Sequence, residues 1–494
     1  MLSPSLPVII KIMLDDLIAE RRKKLEKLKQ AGIDPYPPKA ERTVLISDAH
    51  KKFAQLVKAG KNISLSGRLR GVRDQGNIAF FDLEDESGRL QLVLKKDSFA
   101  KADFWKSVLD IGDFISATGK LFKTKRGEES LEVSDLSMVA KSLRPLPSDW
   151  YGLEDIETRL RERHLDLLLN SETKELFRKK EIFWRTFRDS LEKEGFLEVE
   201  APVLESIPGG ADAEPFKTHM NALDHDFYLR ISLELPLKKL LVGGYEKVFE
   251  IGRIFRNEGI DKEHLQDYTQ LEFYWAYRDY NDLMALLEKM YKSVVKAVTG
   301  GLQTSYGGQK IDWSKKWPKI SYVDEFKKHV GLDPLAASEA DLVKKARELG
   351  IEPEKHQGKG RVIDLIFKKA VRPHLLQPSF LIDPPVEIEP LAKRSGRDPR
   401  VVERVQIMAG GTELGKGFTE LNDPVDQRAR FEEQVRLREK GDKEAQRLDE
   451  EYLTAMEYGM PPAAGFGVSE RLFAVLMDKP IRETVIFPLM KPKK

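Results

Sequence analysis

Between Lys61 and Ala140 the chain runs in short alternating segments, ISLSGRLRGVR, NIAFFDLEDESGRLQLVL, DFISATGKLFKT and ESLEVSDLSMVA, joined by Gly-bearing turns. Apolar and polar residues exchange at every second position, the period of a strand with one buried face. Five such strands in about 80 residues suit a small closed barrel better than a sandwich. Arg144-Pro145-Leu146-Pro147 then reads as a linker. The roughly 350 residues that follow alternate helical and strand patterns without a regular βαβ rhythm. That predicts a mostly antiparallel sheet flanked by helices, not a doubly wound parallel one, and the expected fold class is α+β.

The barrel expected is of the oligonucleotide-binding type. Arg73, Phe80, Gln91 and Glu128 are its candidate base-reading set, with Phe80 stacking on a base and the others bonding its edge. From spacing alone, Phe80 is better read as barrel core.

Composition narrows the class. The 494 residues are 41% hydrophobic and 33% charged, ordinary for a globular protein and unlike a disordered or fibrous one. No apolar run approaches the ~18 to 20 residues of a membrane span, and Leu6 to Leu14 is short and broken by Lys11, so neither membrane nor secretion is expected. Zero cysteines exclude disulfides, thiolate metal sites and cysteine nucleophiles, which fits a cytoplasmic protein. A net charge of +2 decides little about nucleic acid, since only local patches report it.

Residues 1–12 hold two prolines and no helical period, and are expected to be a disordered leader that a start at Met13 would remove. Leu14, Leu17, Ile18, Leu25 and Leu28 share one face, with Arg21 to Lys24 opposite; this predicts a basic amphipathic helix that stops at Ala31-Gly32. Solvated charge and RNA contact explain that basic face equally well. The divisions expected are a helix and connector over 13–60, the barrel over 61–143, a linker over 144–158 and the large domain over 159–494. Within the last, 172–194 reads as a long helix, 196–203 as a strand and 319–372 as a mainly helical insertion.

The run Phe255 to Tyr277, FRNEGIDKEHLQDYTQLEFYWAY, packs charged, polar and aromatic residues into two strand-like segments around a Gly-containing loop. Arg256 and Glu258 share a face by the two-residue period, and so do Glu272 and Tyr274. Polar side chains turned toward a core need partners, and a small charged ligand supplies them. Gly209-Gly210, Ile231 to Leu235, Thr412 to Asn422 and Gly465 to Arg471 are expected to join this hairpin. Arg256 and Arg471 present planar forks that suit phosphate or an aromatic base, which suggests a nucleotide. Glu234, Glu272, Tyr274 and Glu420 are acceptors that suggest an amine-bearing substrate. GGTELGKG, Gly410 to Gly417, nearly spells a phosphate-binding loop. It fails because Gly417 stands where a hydroxyl is needed and Glu413 would repel phosphate.

FRNEGIDKEH with a following tyrosine, EFYWAY, ELNDPVDQRARFEEQ, EYGMPP and FPLMKP occur here in one order. Together they resemble the class II lysyl-tRNA synthetases of subclass IIb, over about Leu17 to Pro492. The resemblance implies a class II catalytic domain behind an anticodon-binding barrel, and it assigns Arg73, Phe80, Gln91 and Glu128 to anticodon uridines. It implies ATP-dependent activation of L-lysine to lysyl-adenylate and transfer to the 3′ end of tRNA(Lys), by a homodimer built on the 172–194 helix and the strand after it. Arg256, Glu413 and Arg471 are the implied catalytic residues. Arg256, Glu258, His264, Tyr268, Gln406, Glu413 and Arg471 would hold ATP. Gly210, Glu234, Glu272, Tyr274, Lys416, Phe418 and Glu420 would hold lysine, with Glu272, Tyr274 and Glu420 on the ε-ammonium and Gly210 and Glu234 on the α-ammonium. Mg2+ is the implied cofactor.

Four departures touch the site. The metal-binding pair seven residues apart is Gln406 and Glu413, and a neutral amide is a weaker ligand for a hard cation than a carboxylate. Lys416 stands where the family has an asparagine, and either supplies charge that a weakly held magnesium would bring or folds onto Glu420 and blocks the pocket. Leu265-Gln266 replaces Asn-Pro, and GFGVSER is one residue shorter than the family's third motif. Gln406 and Lys416 favour, as the alternative, a non-catalytic or altered-specificity tRNA-binding paralogue of the same family, which the retained Arg256, Glu258, Glu413 and Arg471 oppose. Lysylation of a protein is opposed by the barrel, which such relatives lack, and aspartyl or asparaginyl specificity by three acceptors in the pocket.

Overall fold

The computed structural model describes residues 6–147, 153–259, 265–354, 357–442 and 444–492, with side chains from Met13 onward. The chain divides into two compact units, Met1–Glu154 and Asp155–Lys494.

In the first unit β1 (Ile63–Asp74), β2 (Ile78–Asp85), β3 (Gly88–Lys95), β4 (Phe114–Lys123) and β5 (Glu129–Ala140) close a barrel in the order β1-β2-β3-β5-β4. Alternation explains the closure: Leu65, Leu69, Phe81, Leu83, Leu92, Ile115, Ala117 and Leu131 all point inward and are buried in one cluster. Trp105, on the helix Ala102–Val108 between β3 and β4, packs into the same cluster. The N-terminal helix runs Leu6–Gln30, so it begins inside the stretch expected to be a leader. Pro7 lies in its first turn, where a missing N–H costs nothing. Leu28 enters the barrel cluster, and Arg21 of the basic face donates to the carbonyls of Ile111, Ser142 and Arg144.

The second unit carries strands β6 (Leu197–Glu198), β7 (Leu204–Glu205), β8 (Lys217–Met220), β9 (His225–Leu229), β10 (Lys247–Phe255), β11 (Asp267–Ala276), β12 (Gln303–Tyr306), β13 (Gln309–Asp312), β14 (Lys319–Ser321), β15 (Ser379–Ile382), β16 (Arg404–Ala409), β17 (Thr412–Thr419) and β18 (Ala463–Ser469). Eight form one sheet in the order β14-β15-β16-β17-β18-β11-β10-β6. Only its two outermost pairs are parallel, so the sheet is mostly antiparallel, as expected.

One face of this sheet is apolar. Phe249, Leu271, Phe273, Val405, Ile407, Phe466 and Val468 meet Phe183 and Phe187 of the helix Ser171–Lys193 and Leu287 and Tyr291 of the helix Tyr280–Thr299. Each of these large side chains contributes on the order of 1.5–3 kcal/mol by leaving water. The predicted strand over 196–203 is reduced to Leu197–Glu198. Beyond it the Ala201 amide donates to the Glu250 carboxylate at 2.9 Å, and Pro202 has no N–H to continue a ladder. The segment 319–372 is mainly helical, with helices Tyr322–Val330, Glu339–Glu348 and Lys359–Ala370 around their own core. No helix among the described residues is long and apolar enough to cross a membrane.

Candidate active site

If the odd residues of β11 face the apolar core, the even ones must face the other way. Tyr268, Gln270, Glu272 and Tyr274 therefore share the opposite face. Their neighbours on β18 are small: Gln270 pairs with Ser469, Glu272 with Gly467 and Tyr274 with Gly465. Lys416 and Phe418 of β17 lie beyond, opposite Gly467 and Gly465, and Gln406 and Arg404 of β16 follow. The sheet thus brings one row from each of four strands to a single polar face.

The acidic end of this face holds three carboxylates, Glu234, Glu272 and Glu420, at 6%, 3% and 0% exposure. Glu272 Oε1 accepts from Ser232 Oγ at 2.8 Å, the Leu233 amide at 3.1 Å and Gln270 Nε2 at 2.5 Å, while Tyr274 Oη donates to its Oε2 at 2.9 Å. Burial and the neighbouring Glu234 and Glu272 keep the Tyr274 phenol protonated, well above its usual range. Gly210, at φ +83°, lies against Glu234: a Cβ there would sit 2.9 Å from the Glu234 Cβ. Gly465 is the floor, since a Cβ on it would overlap both the Tyr274 ring and Glu420 Oε1. Glu420 Oε1 is buried without a hydrogen-bond partner, while Oε2 is taken by an ion pair. Phe418, buried, closes the side.

Sequence reasoning missed Lys238. It stands one turn after Glu234 on the helix Glu234–Val242, is fully buried, and forms ion pairs with Glu234 Oε1 at 2.5 Å and with Glu420 Oε2. Burial opposes its charge, but Glu234 and Glu420 outweigh that and raise its pKa. The signal was the Glu-to-Lys spacing of four within ELPLKKLLV, which ordinarily marks a solvated helix face.

At the other end, Arg256 and Glu258 lie past the end of β10 rather than on it. The Asn257 amide donates to the Glu214 carbonyl at 2.7 Å, which takes the chain out of the hairpin ladder. Arg256 Nε donates to the Ile231 carbonyl at 3.2 Å, and its guanidinium carbon is 5.7 Å from the centre of the Tyr268 ring. Burial raises the Tyr268 phenol, while Arg256 and Arg471 act against that, so both arginines are felt at this ring. Arg471 opens the helix Arg471–Leu476. The preceding Glu470 is anchored by Lys180 at 2.8 Å and by the Thr269 amide at 3.1 Å. His264 lies outside the described residues.

Gln406, Glu413 and Lys416 form a closed polar chain with two residues the sequence did not single out. Arg404 Nη2 donates to Gln406 Oε1 at 2.6 Å, and Gln406 Nε2 donates to Glu413 Oε2 at 2.5 Å. Lys416 Nζ pairs with Glu389 at 2.9 Å, so it does not fold onto Glu420. Burial opposes its charge, while Glu389 and Glu413 favour it and raise its pKa, so it is an ammonium. Burial likewise works against the Glu413 carboxylate, but Lys416, Arg471 and Arg404 hold its pKa below the usual value. Gln406 and Glu413 do not fit a divalent cation as they stand. The one amide oxygen is taken by a guanidinium, one oxygen of the carboxylate is taken by the amide, and an ammonium is close by. No group of three or more His, Asp or Glu placed to hold a metal occurs among the described residues.

In the barrel, Phe80 is half-buried and faces outward, unlike its core neighbour Phe81. Arg73 pairs with it across β1 and β2, the guanidinium carbon 5.8 Å from the ring centre. Gln91 is buried and accepts from Ser130 Oγ at 3.1 Å. Glu128 is exposed just before β5. Arg73, Phe80 and Gln91 thus lie on the neighbouring strands β1, β2 and β3, and Glu128 beside the start of the strand that pairs with β3.

Comparison with known proteins bears on both units. Residues 155–491 match the family described as "tRNA synthetases class II (D, K and N)", and residues 63–146 match "OB-fold nucleic acid binding domain". A lysine–tRNA ligase of Moorella thermoacetica is 46% identical over 485 residues, covering 97% of this chain and 99% of the relative. One from Roseiflexus castenholzii is 44% identical over 487 residues, covering 97% and 100%, and one from Thermotoga maritima 42% identical over 490 residues, covering 98% and 97%.

Proposed function

Because the chain belongs to the class II tRNA synthetases of the D, K and N group, we propose that it activates L-lysine with ATP and transfers the lysyl group to the 3′ end of tRNA(Lys). The observation that carries the choice of amino acid is Glu420, fully buried with Oε1 left without a partner even though Lys238 holds Oε2, beside two further buried carboxylates. Of aspartate, lysine and asparagine, only lysine brings a side-chain cation to such a pocket. An aspartate side chain would be repelled.

The chemistry needs no protein nucleophile. An oxygen of the lysine α-carboxylate attacks the α-phosphorus in line. The new O–P bond forms as the bond to pyrophosphate breaks, giving lysyl-adenylate. A hydroxyl at the tRNA 3′ end then attacks the carbonyl carbon, and AMP leaves. What the chain supplies is position and fixed charge. Glu272, Tyr274 and Glu420 take the ε-ammonium over Gly465, and Gly210 and Glu234 take the α-ammonium. Arg256 steadies the α-phosphate, Tyr268 and Arg471 hold the adenine, and Glu258 helps bind the nucleotide. Lys416 brings a permanent cation beside Glu413. Class II synthetases use ATP with a divalent metal. Because Gln406 is bonded to both Arg404 and Glu413, no residue role here depends on a resident ion. In the barrel, Phe80 stacks an anticodon base while Arg73, Gln91 and Glu128 read edges. Two copies pair through the motif around the Ser171–Lys193 helix, where Leu197, Val203 and Leu204 are exposed apolar residues.

The test is lysine-dependent exchange of labelled pyrophosphate into ATP, with ornithine and aspartate as competitors. Exchange with lysine is expected, with ornithine the harder competitor to exclude, because one missing methylene costs only ~1 to 3 kcal/mol, and aspartate not competing. Failure to exchange at any magnesium concentration, with or without tRNA, would refute the reading.

A further inference from the structure

The three buried carboxylates are not equivalent. Glu272 is surrounded by four neutral donors, Ser232, the Leu233 amide, Gln270 and Tyr274, which orient it without cancelling its charge. Glu234 and Glu420 share one internal ammonium, Lys238, which takes one oxygen of each. That ammonium lies 5.9 Å from the centre of the Tyr274 ring and 5.2 Å from that of Phe418. Three carboxylates against one ammonium leave two negative charges when all are ionised, the number that a substrate with two ammonium groups cancels.

Building on the lysine-activation reading, we propose that Lys238 is a positioning residue that sets amino-acid specificity. Its ammonium bridges Glu234 and Glu420, fixes their spacing, and leaves Glu420 Oε1 turned toward the space above Gly465 where the substrate's side-chain ammonium is taken. The geometry supports this directly, because Oε2 is held by Lys238 while Oε1 borders the room that a Cβ on Gly465 would fill. Without the bridge, two carboxyl groups buried side by side share a proton and present one hydrogen-bonded acid pair instead of two separate anions. The titratable groups facing Lys238 are Glu234 on its own helix, Tyr274 on β11, Glu420 after β17, and Tyr452 on the helix Glu450–Glu457, with Glu272 acting on Glu234 and Glu420.

The experiment measures pyrophosphate exchange by the full chain from pH 6 to 9, with lysine and with norleucine, which has no side-chain amine. Lys238→Gln is expected to raise KM for lysine about 50-fold while kcat changes less than about fivefold, and to narrow the preference for lysine over norleucine by a similar factor. KM should also become steeply pH-dependent, and Lys238→Arg should recover part of the loss. A folded Lys238→Gln enzyme with lysine KM within about threefold of wild type and an unchanged pH profile would overturn the proposal. If that variant does not fold, Lys238→Gln with Glu234→Gln removes one charge of each sign, and is compared with Glu234→Gln alone. A further rise of about tenfold in KM is expected, and equal values would overturn the proposal. Absence of exchange by the wild-type chain would instead count against lysine activation itself.

Discussion

Lys416 Nζ lies 2.9 Å from Glu389 Oε2, and this pair places a permanent cation next to Glu413. The Lys416 side chain is 42% exposed, so the pair adds little to folding, on the order of 1 kcal/mol or less. On the proposed reading, its value lies in a charge fixed near developing phosphate charge. Lys416→Asn is therefore expected to leave Tm within a few degrees of wild type while slowing lysine-dependent exchange about 10- to 100-fold. The variant should also need more magnesium for half-maximal rate. Unchanged turnover and magnesium dependence in a folded variant would show that Lys416 is only a partner for Glu389.

Glu234 should make lysine binding depend on pH. Burial pushes its carboxyl up to about 7, with Lys238 pulling the other way and Glu272 adding to the rise. Below that value the carboxyl holds a proton and offers no charge to an ammonium, so affinity falls as pH drops, up to about tenfold per unit. The linkage sign for folding is the reverse. A raised carboxyl pKa contributes stability below its unfolded value and loses it as pH rises through about 7, so the unliganded protein pays at high pH what lysine then relieves. The rise in Tm on adding lysine should be larger at pH 8 than at pH 6, and Glu234→Gln should flatten the difference. A lysine-induced shift that is constant over this range would exclude the assignment.

The architecture was readable because it rests on periods. Alternation in 61–140 implied a barrel, and the spacing of Glu272 and Tyr274 implied a polar sheet face. What escaped depends on contacts between distant segments. Nothing local distinguishes Lys238 from the Lys239 beside it, yet one is fully buried and the other is not, because the helix turns only the first toward Glu420. Glu389 follows a short 3-10 turn, and no period predicts that it meets Lys416. Phe80 and Phe81 are adjacent aromatics, and the choice of which faces out is made by register, Phe80 opposite Arg73 and Phe81 opposite Val72. Arg256 left the strand because its neighbour's amide found Glu214, a partner 43 residues away that spacing does not reveal.

Phe80 supplies a prediction that separates the two units. A half-buried, outward-facing ring beside Arg73 suits base stacking, worth about 1–3 kcal/mol per base. Phe80→Ala should weaken tRNA(Lys) binding and raise the KM for tRNA by a corresponding ~5- to 150-fold, with pyrophosphate exchange unaltered because that reaction needs no tRNA. Filter binding and aminoacylation kinetics check the first part. Intact tRNA affinity would mean that the ring only covers the outer face of β2.

Gly465 tests the pocket by filling it. A single methyl group there overlaps the Tyr274 ring and Glu420 Oε1, the two groups proposed to take the ε-ammonium. The end proposed for the nucleotide, around Arg256 and Tyr268, lies further along β11, beyond Gln270, which faces Ser469 of β18. Gly465→Ala is expected to raise KM for lysine at least ~30-fold while changing ATP affinity less than about twofold. It should also cost some stability, because overpacking typically costs about 1–3 kcal/mol. Lysine and ATP affinities measured separately by calorimetry decide the matter: equal losses for both ligands would point to a distorted sheet, whereas loss for lysine alone locates its side chain above Gly465.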